Sequence, residues 1–130
     1  MKIKFISLLA TALVISFTSC NDGHDDETGP LITLTEPTDE QDFAIGDTIF
    51  IHGEVTDNEA LHELMVTLTK QETGDTVLNF MPTVHDMESF HIDTFYAPTD
   101  TVHIHYILKI EAWDHDNNSA ELEYTLHWND

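Results

Sequence analysis

From Pro30 onwards, apolar residues recur at every second position over short runs, and no stretch sustains the 3.6-residue apolar period of an amphipathic helix. Successive side chains on a strand point to opposite faces, so this pattern predicts strands with one buried face. Seven runs qualify: residues 31–35, 48–56, 61–69, 76–80, 90–95, 102–113 and 120–128. Between them fall Pro37, Ala44-Ile45-Gly46-Asp47, Asp57-Asn58, Gly74-Asp75, Pro82, Pro98 and Asp116-Asn117-Asn118. Proline cannot donate to a strand ladder, and Asn, Asp and Gly tolerate turn conformations, so each interruption separates strands. Seven strands in about a hundred residues predict an all-β, two-sheet sandwich.

The alternation also assigns faces. In 102–113, Val102, Ile104, Tyr106, Leu108, Ile110 and Ala112 point to the core, which turns His103, His105, Ile107, Lys109, Glu111 and Trp113 outward. In 120–128, Leu122, Tyr124, Leu126 and Trp128 point inward and His127 outward. Ile49, Ile51, Gly53 and Val55, then Leu64, Val66 and Leu68, complete the expected core. The last two strands flank a short turn and should pair antiparallel. Setting Lys109 opposite Glu123 pairs His105 with His127; the neighbouring register of the same parity pairs His103 with His127.

Charge narrows the functional classes. The 130-residue chain carries 25 Asp and Glu against 4 Lys and Arg, a net charge of -21, and has no arginine. Such a field repels polyanions and supplies no bidentate phosphate clamp, so nucleic-acid binding is excluded. The size suits one ordinary domain.

The N-terminus has different chemistry. Lys2 and Lys4 precede an apolar run over residues 5–17 that is short for a membrane span, as in a secretory signal peptide. Phe17-Thr18-Ser19-Cys20 resembles a bacterial lipobox, which implies cleavage before the only cysteine and lipid attachment to it. The expected organisation is a signal peptide over 1–19, an acidic, extended tether over 20–29 after lipidated Cys20, and one β domain over 30–130. Asn21-Asp22-Gly23-His24-Asp25-Asp26-Glu27 is similar to the acidic tether of surface-exported Bacteroidota lipoproteins. This resemblance implies a surface-exposed outer-membrane lipoprotein held to the membrane by its anchor.

The turns carry a second resemblance. Gly46-Asp47-Thr48-Ile49, Gly53 to Leu61 with its Asp57-Asn58-Glu59-Ala60 turn, and Ile110 to Asn118 with Asp114-His115-Asp116-Asn117-Asn118 resemble bacterial immunoglobulin-like domains. With the lipobox and the 9 histidines, the nearest family is the His-rich, Ig-like Bacteroidota outer-membrane lipoproteins of unknown function. The resemblance spans residues 30 to 128 and implies a seven-stranded immunoglobulin-like, fibronectin III-like sandwich.

Two groups of residues carry candidate chemistry. His103, His105 and His127 share an outward face across the last hairpin. Three neutral imidazoles on a rigid sheet can hold zinc or copper, leaving a position for water or a carboxylate. A solvated histidine face is the other reading of the same residues. Asp57 and Glu59 on one turn, and Asp114, Asp116 and Asn118 on another, emerge side by side in an Ig-like topology. Such hard oxygen ligands suit calcium, although Asp and Asn are also ordinary turn residues. His85, Asp86, Met87, His91 and Asp93 form a looser loop set, and His52 and His62 read as surface residues. No serine lies in a nucleophile-elbow pattern and no glycine-rich loop could cradle phosphate, so a non-enzymatic binding module is expected. The alternative is a structural or accessory subunit docking on another outer-membrane protein such as a TonB-dependent transporter.

Overall fold

The computed structural model describes residues 26–129. The signal region, Cys20, most of the expected tether and Asp130 lie outside the described residues. Every regular element among the described residues is a strand: β1 (Leu31–Glu36), β2 (Gln41–Ala44), β3 (Ile49–Lys70), β4 (Thr76–Phe80), β5 (Met87–Tyr96), β6 (Ile104–Asp114) and β7 (Ser119–Asn129). They form a curled sheet in the order β1-β3-β6-β7-β2, with β4 and β5 also paired to β3. The fold is therefore all-β, as the period-2 pattern requires.

The number seven is reached differently from the sequence reading. The expected second and third strands are one 22-residue strand, β3. Its backbone stays extended through Asp57 to Ala60, where the sequence indicates a turn, but it exchanges partners there. Residues 49–56 pair with β1 and β5, and residues 61–70 pair with β6 and β4, with register shifts between Thr56 and Leu61 and between Leu61 and Glu63. The polar residues thus mark a change of partners rather than a reversal. The extra strand is β2, a parallel partner of β7 that aligns Phe43 with Trp128. With only four residues and one buried side chain, Phe43, it leaves little alternation to detect.

Inward and outward faces follow the parity read from sequence. Ile49, Ile51, Val55, Leu61, Leu64, Val66, Leu68, Tyr106, Leu108, Ile110, Ala112, Leu126 and Trp128 belong to one buried cluster, with Leu122 and Tyr124 packed against it. Because both halves of β3 contribute to that cluster, the curl of the sheet has to bring them face to face over a shared interior. Gly53 is needed where β1 crosses β3: a Cβ there would lie 2.6 Å from the Thr33 carbonyl oxygen, closer than any side chain can sit. Val102 departs from the expectation, being 61% exposed, because β6 begins only at Ile104.

The β6–β7 register is the one that opposes Lys109 to Glu123, His105 to His127 and Ala112 to Ala120. Lys109 itself bonds to Glu111 at 2.9 Å and Glu121 at 3.1 Å, a diagonal arrangement on the same face. At the other end of the hairpin, residues 26–29 do not extend away from the domain. Asn118 Nδ2 donates to the Asp26 carbonyl at 2.7 Å and Asn58 Nδ2 to its carboxylate at 3.0 Å, and Pro30 is buried.

Candidate metal-binding sites

Of the three histidines singled out on the last hairpin, His103 and His105 bring ring nitrogens together and His127 stands ring to ring with His105, but the three do not all offer a nitrogen within 4.8 Å of one another. His105 and His127 are directly opposed, with ring centroids 5.0 Å apart. His103 lies just before β6 rather than on it, yet its Nε2 is 3.2 Å from His105 Nε2. Two imidazoles on a tetrahedral zinc, each about 2.0–2.1 Å from the ion, hold their nitrogens roughly 3.3 Å apart. The pair is therefore already at the spacing that one ion requires.

Two turns supply carboxylates to this group. Glu72 accepts from the His105 backbone N–H at 2.9 Å and lies 2.8 Å from its ring Nδ1. Burial pushes the Glu72 carboxyl up, but the backbone and ring hydrogen bonds from His105 outweigh it and lower its pKa overall. The turn that presents Glu72 is closed by Gly74, at φ +77°, donating to the Lys70 carbonyl at 2.8 Å. Glu40 approaches His127 Nε2 to 2.6 Å and is placed there by its own N–H donating to the Thr125 carbonyl at 2.8 Å. Carboxylates on the far nitrogens fix ring orientation and tautomer, so His105 turns Nε2, and His127 Nδ1, away from their anchors.

Asp100 ties the segment before β6 to the core. Its carboxylate accepts from Lys70 Nζ at 2.7 Å and from the buried Tyr106 hydroxyl at 2.7 Å, while its carbonyl accepts from Trp128 Nε1 at 3.1 Å. The Lys70 bond first and the Tyr106 bond second hold the Asp100 carboxyl below its ordinary 3.8. Burial and the bond to Asp100 raise the Tyr106 hydroxyl. This network was not foreseen, since no spacing connects residues 70, 100 and 106, but it restrains the chain three residues from His103.

The acidic residues of β3 and of the β6–β7 turn also come together, with an addition. Asp57 and Asp114 join Asp26, and Glu59 and Asp116 join the same Asp26, each trio having carboxylate oxygens within 4.8 Å of one another. Asp26 comes from the stretch read as tether, so the sequence reading lacked the residue common to both. Asp114 is 3% exposed and accepts from both nitrogens of Asn118. Asn118 Nδ2 thus donates to both Asp114 and the Asp26 carbonyl and ties Asp26 to the β6–β7 turn. The buried Asp57 Oδ2 has no hydrogen-bond partner among the described residues.

A third group was missed. His62, His85 and His115 each offer a ring nitrogen within 4.8 Å of the others. In the sequence His62 reads as a surface residue, His85 as part of a loop and His115 as part of a turn. The adjacency expected of the two acidic segments is the available signal, because His62 lies just beyond the first and His115 within the second. Of the looser loop set, Asp86 belongs with this group, whereas His91 and Asp93 stay apart from it: His91 is 3.8 Å from Glu54, and Asp93 is 3.1 Å from His52, whose Nδ1 contacts Glu36.

No protein-family model and no curated protein matches the chain. A solved engineered protein, determined at 1.98 Å, is similar with a TM-score of 0.52 and 12% identity over 76% of this chain. The chain spans 20% of that protein's length, and the likeness concerns fold alone.

Proposed function

We propose that this is an immunoglobulin-like sandwich module of the Bacteroidota cell envelope, anchored by lipid on Cys20, that binds a divalent transition metal through His103, His105 and His127. The sandwich reading is supported by the partner exchange in β3, which divides the strands into β1, β5 and the first half of β3 against β4, β6, β7, β2 and the second half. The metal reading rests on one observation: two Nε2 atoms at 3.2 Å, one of them on a ring whose other nitrogen is anchored by Glu72. Zinc and copper(II) both suit such nitrogen ligands.

Zinc should raise the melting temperature of the full chain in moderate salt, because an ion that binds only the folded state stabilises it. His105→Ala should lower the affinity of this site strongly and His52→Ala should leave it unchanged, as read by calorimetry. Equal losses in the two variants would show diffuse attraction by the acidic surface instead. Binding should also weaken in acid, since ligands must be deprotonated to coordinate a metal.

The anchor has its own test. Cys20→Ala should abolish palmitate labelling and membrane association while leaving the circular dichroism of the β domain unchanged. Continued labelling of the variant would defeat the lipoprotein reading.

The exposed cross-strand rings of Phe50 and Phe95, 6.2 Å apart, favour a second reading, an accessory subunit docking on another outer-membrane protein. Under it, zinc leaves the melting temperature where it was.

A further inference from the structure

His62, His85 and His115 come from three separate segments: the second half of β3, the loop between β4 and β5, and the β6–β7 turn. Each follows a residue locked in the interior. Leu61 is 0% exposed, Val84 1% and Asp114 3%, so each imidazole is the first exposed side chain after a fixed point of the backbone. The loop is also stitched to β3 by the Asp86 N–H donating to the Leu61 carbonyl at 3.0 Å, and closed on itself by the Met87 N–H donating to the Val84 carbonyl at 3.0 Å. Convergence of the three rings, with centroids 5.2, 4.9 and 4.6 Å apart, is therefore built on anchored backbone rather than on three independent loops.

Asp86 supplies what a group of histidines needs to become a ligand set. Its Oδ1 lies 3.1 Å from His85 Nδ1 and 3.0 Å from His115 Nε2, so one carboxylate oxygen engages two rings. This leaves His85 Nε2 and His115 Nδ1 for another partner, with His62 as the third donor. Carboxylate–imidazole contacts of this kind orient metal-binding histidines and raise their basicity. We propose that His62, His85 and His115 form a second transition-metal site, oriented by Asp86, that takes zinc or copper(II). Each ring offers one nitrogen within 4.8 Å of the others, and because the rings are exposed and their terminal torsions soft, rotation can bring the nitrogens not held by Asp86 to the roughly 3.3 Å that one tetrahedral ion demands. Exposure also leaves the fourth position to water or an incoming ligand, so the ion it holds is exchangeable. His105 and His115 lie at opposite ends of β6, about 33 Å apart at the rise of an extended strand, so the two histidine groups bind independently.

The test uses the full chain carrying His105→Ala, titrated with zinc chloride in moderate salt with excess calcium present. The calcium occupies any oxygen-rich attraction and the substitution silences the first histidine group. One equivalent of zinc is expected still to bind. Adding His115→Ala should abolish that binding, and adding Asp86→Asn should weaken it by about 10–100-fold. Copper(II) on the same His105→Ala background should show imidazole nitrogen couplings in its electron paramagnetic resonance spectrum, and these should disappear with His115→Ala. All three substituted side chains are exposed or half-buried, and an unchanged circular dichroism spectrum checks the fold. If His115→Ala leaves stoichiometry and affinity as they were, or if His105→Ala alone removes all zinc binding, the second site is overturned. The latter outcome leaves the first site standing. Loss of all binding in His115→Ala alone, with His105→Ala silent, would instead overturn the first site and support the second.

Discussion

Trp128→Ala is expected to destabilise the domain by about 3–5 kcal/mol, the usual effect of emptying a buried large aromatic position. The ring is fully buried, stands edge-on to Tyr106 with centroids 6.4 Å apart and donates to the Asp100 carbonyl. Removing it leaves a cavity and also frees the segment that leads to His103. Trp113 is only half-buried on the opposite face of the same hairpin. Its replacement by alanine should cost less than half as much. A urea titration checks the pair: the Trp128 variant should unfold at much lower denaturant with an unchanged slope, and equal midpoints would refute the packing described for β7.

Asp100→Ala should cost about 2–4 kcal/mol near neutral pH, because the charge-assisted bond from the buried Tyr106 hydroxyl contributes about 1.5–3 kcal/mol and the part-exposed Lys70 pair up to about 1 kcal/mol. The effect carries a pH signature. Asp100 has a folded pKa below its ordinary 3.8, so its contribution is complete above that value and is lost as the pH falls through the lowered one. Lys70 is raised above 10.5, chiefly by its bond to Asp100, and the Tyr106 hydroxyl is raised above 10.0. Their contributions are complete below those values and are lost as the pH rises through the raised ones. The stability gap between wild type and variant should therefore be widest across the neutral range and narrow at both extremes. A gap that stays constant from pH 3 to pH 7 would show that the carboxylate is not the group that matters.

The residues easiest to place from sequence were those whose alternation is long. Over β6 and β7, parity alone separates the buried Tyr106, Leu108, Ile110, Leu126 and Trp128 from the outward Lys109 and His127, and the pairing of one lysine with one acid selects the register. Polar punctuation was less informative. Asp57 and Asn58 have turn chemistry, but strand hydrogen bonding to new partners on both sides keeps β3 extended through them. β2 escaped notice because parallel pairing with β7 holds it, a tertiary effect that leaves no trace in four residues.

The same distinction applies to the sites. His103, His105 and His127 could be joined on paper because two lie two residues apart and the third lies across a hairpin. His62, His85 and His115 share no element and no spacing; only the loop stitched to the Leu61 carbonyl brings His85 to the other two. Asp26 was set aside as tether for a related reason. Its composition is that of a solvated linker, and its hydrogen bonds come from Asn58 and Asn118, 32 and 92 residues away.

The docking of Asp26 governs how the molecule stands. If Cys20 carries the lipid proposed for it, the chain between that anchor and this first seated residue reaches roughly 20 Å at most when fully extended, given about 3.3–3.6 Å per residue. Strands β6 and β7, eleven residues each, run about 36 Å. A leash shorter than the body it holds cannot let that body tumble. Under the anchoring proposed above, the pole bearing His115 and the carboxylates gathered around Asp26 would be kept towards the lipid headgroups, and the pole bearing His103, His105 and His127 would be turned to the medium.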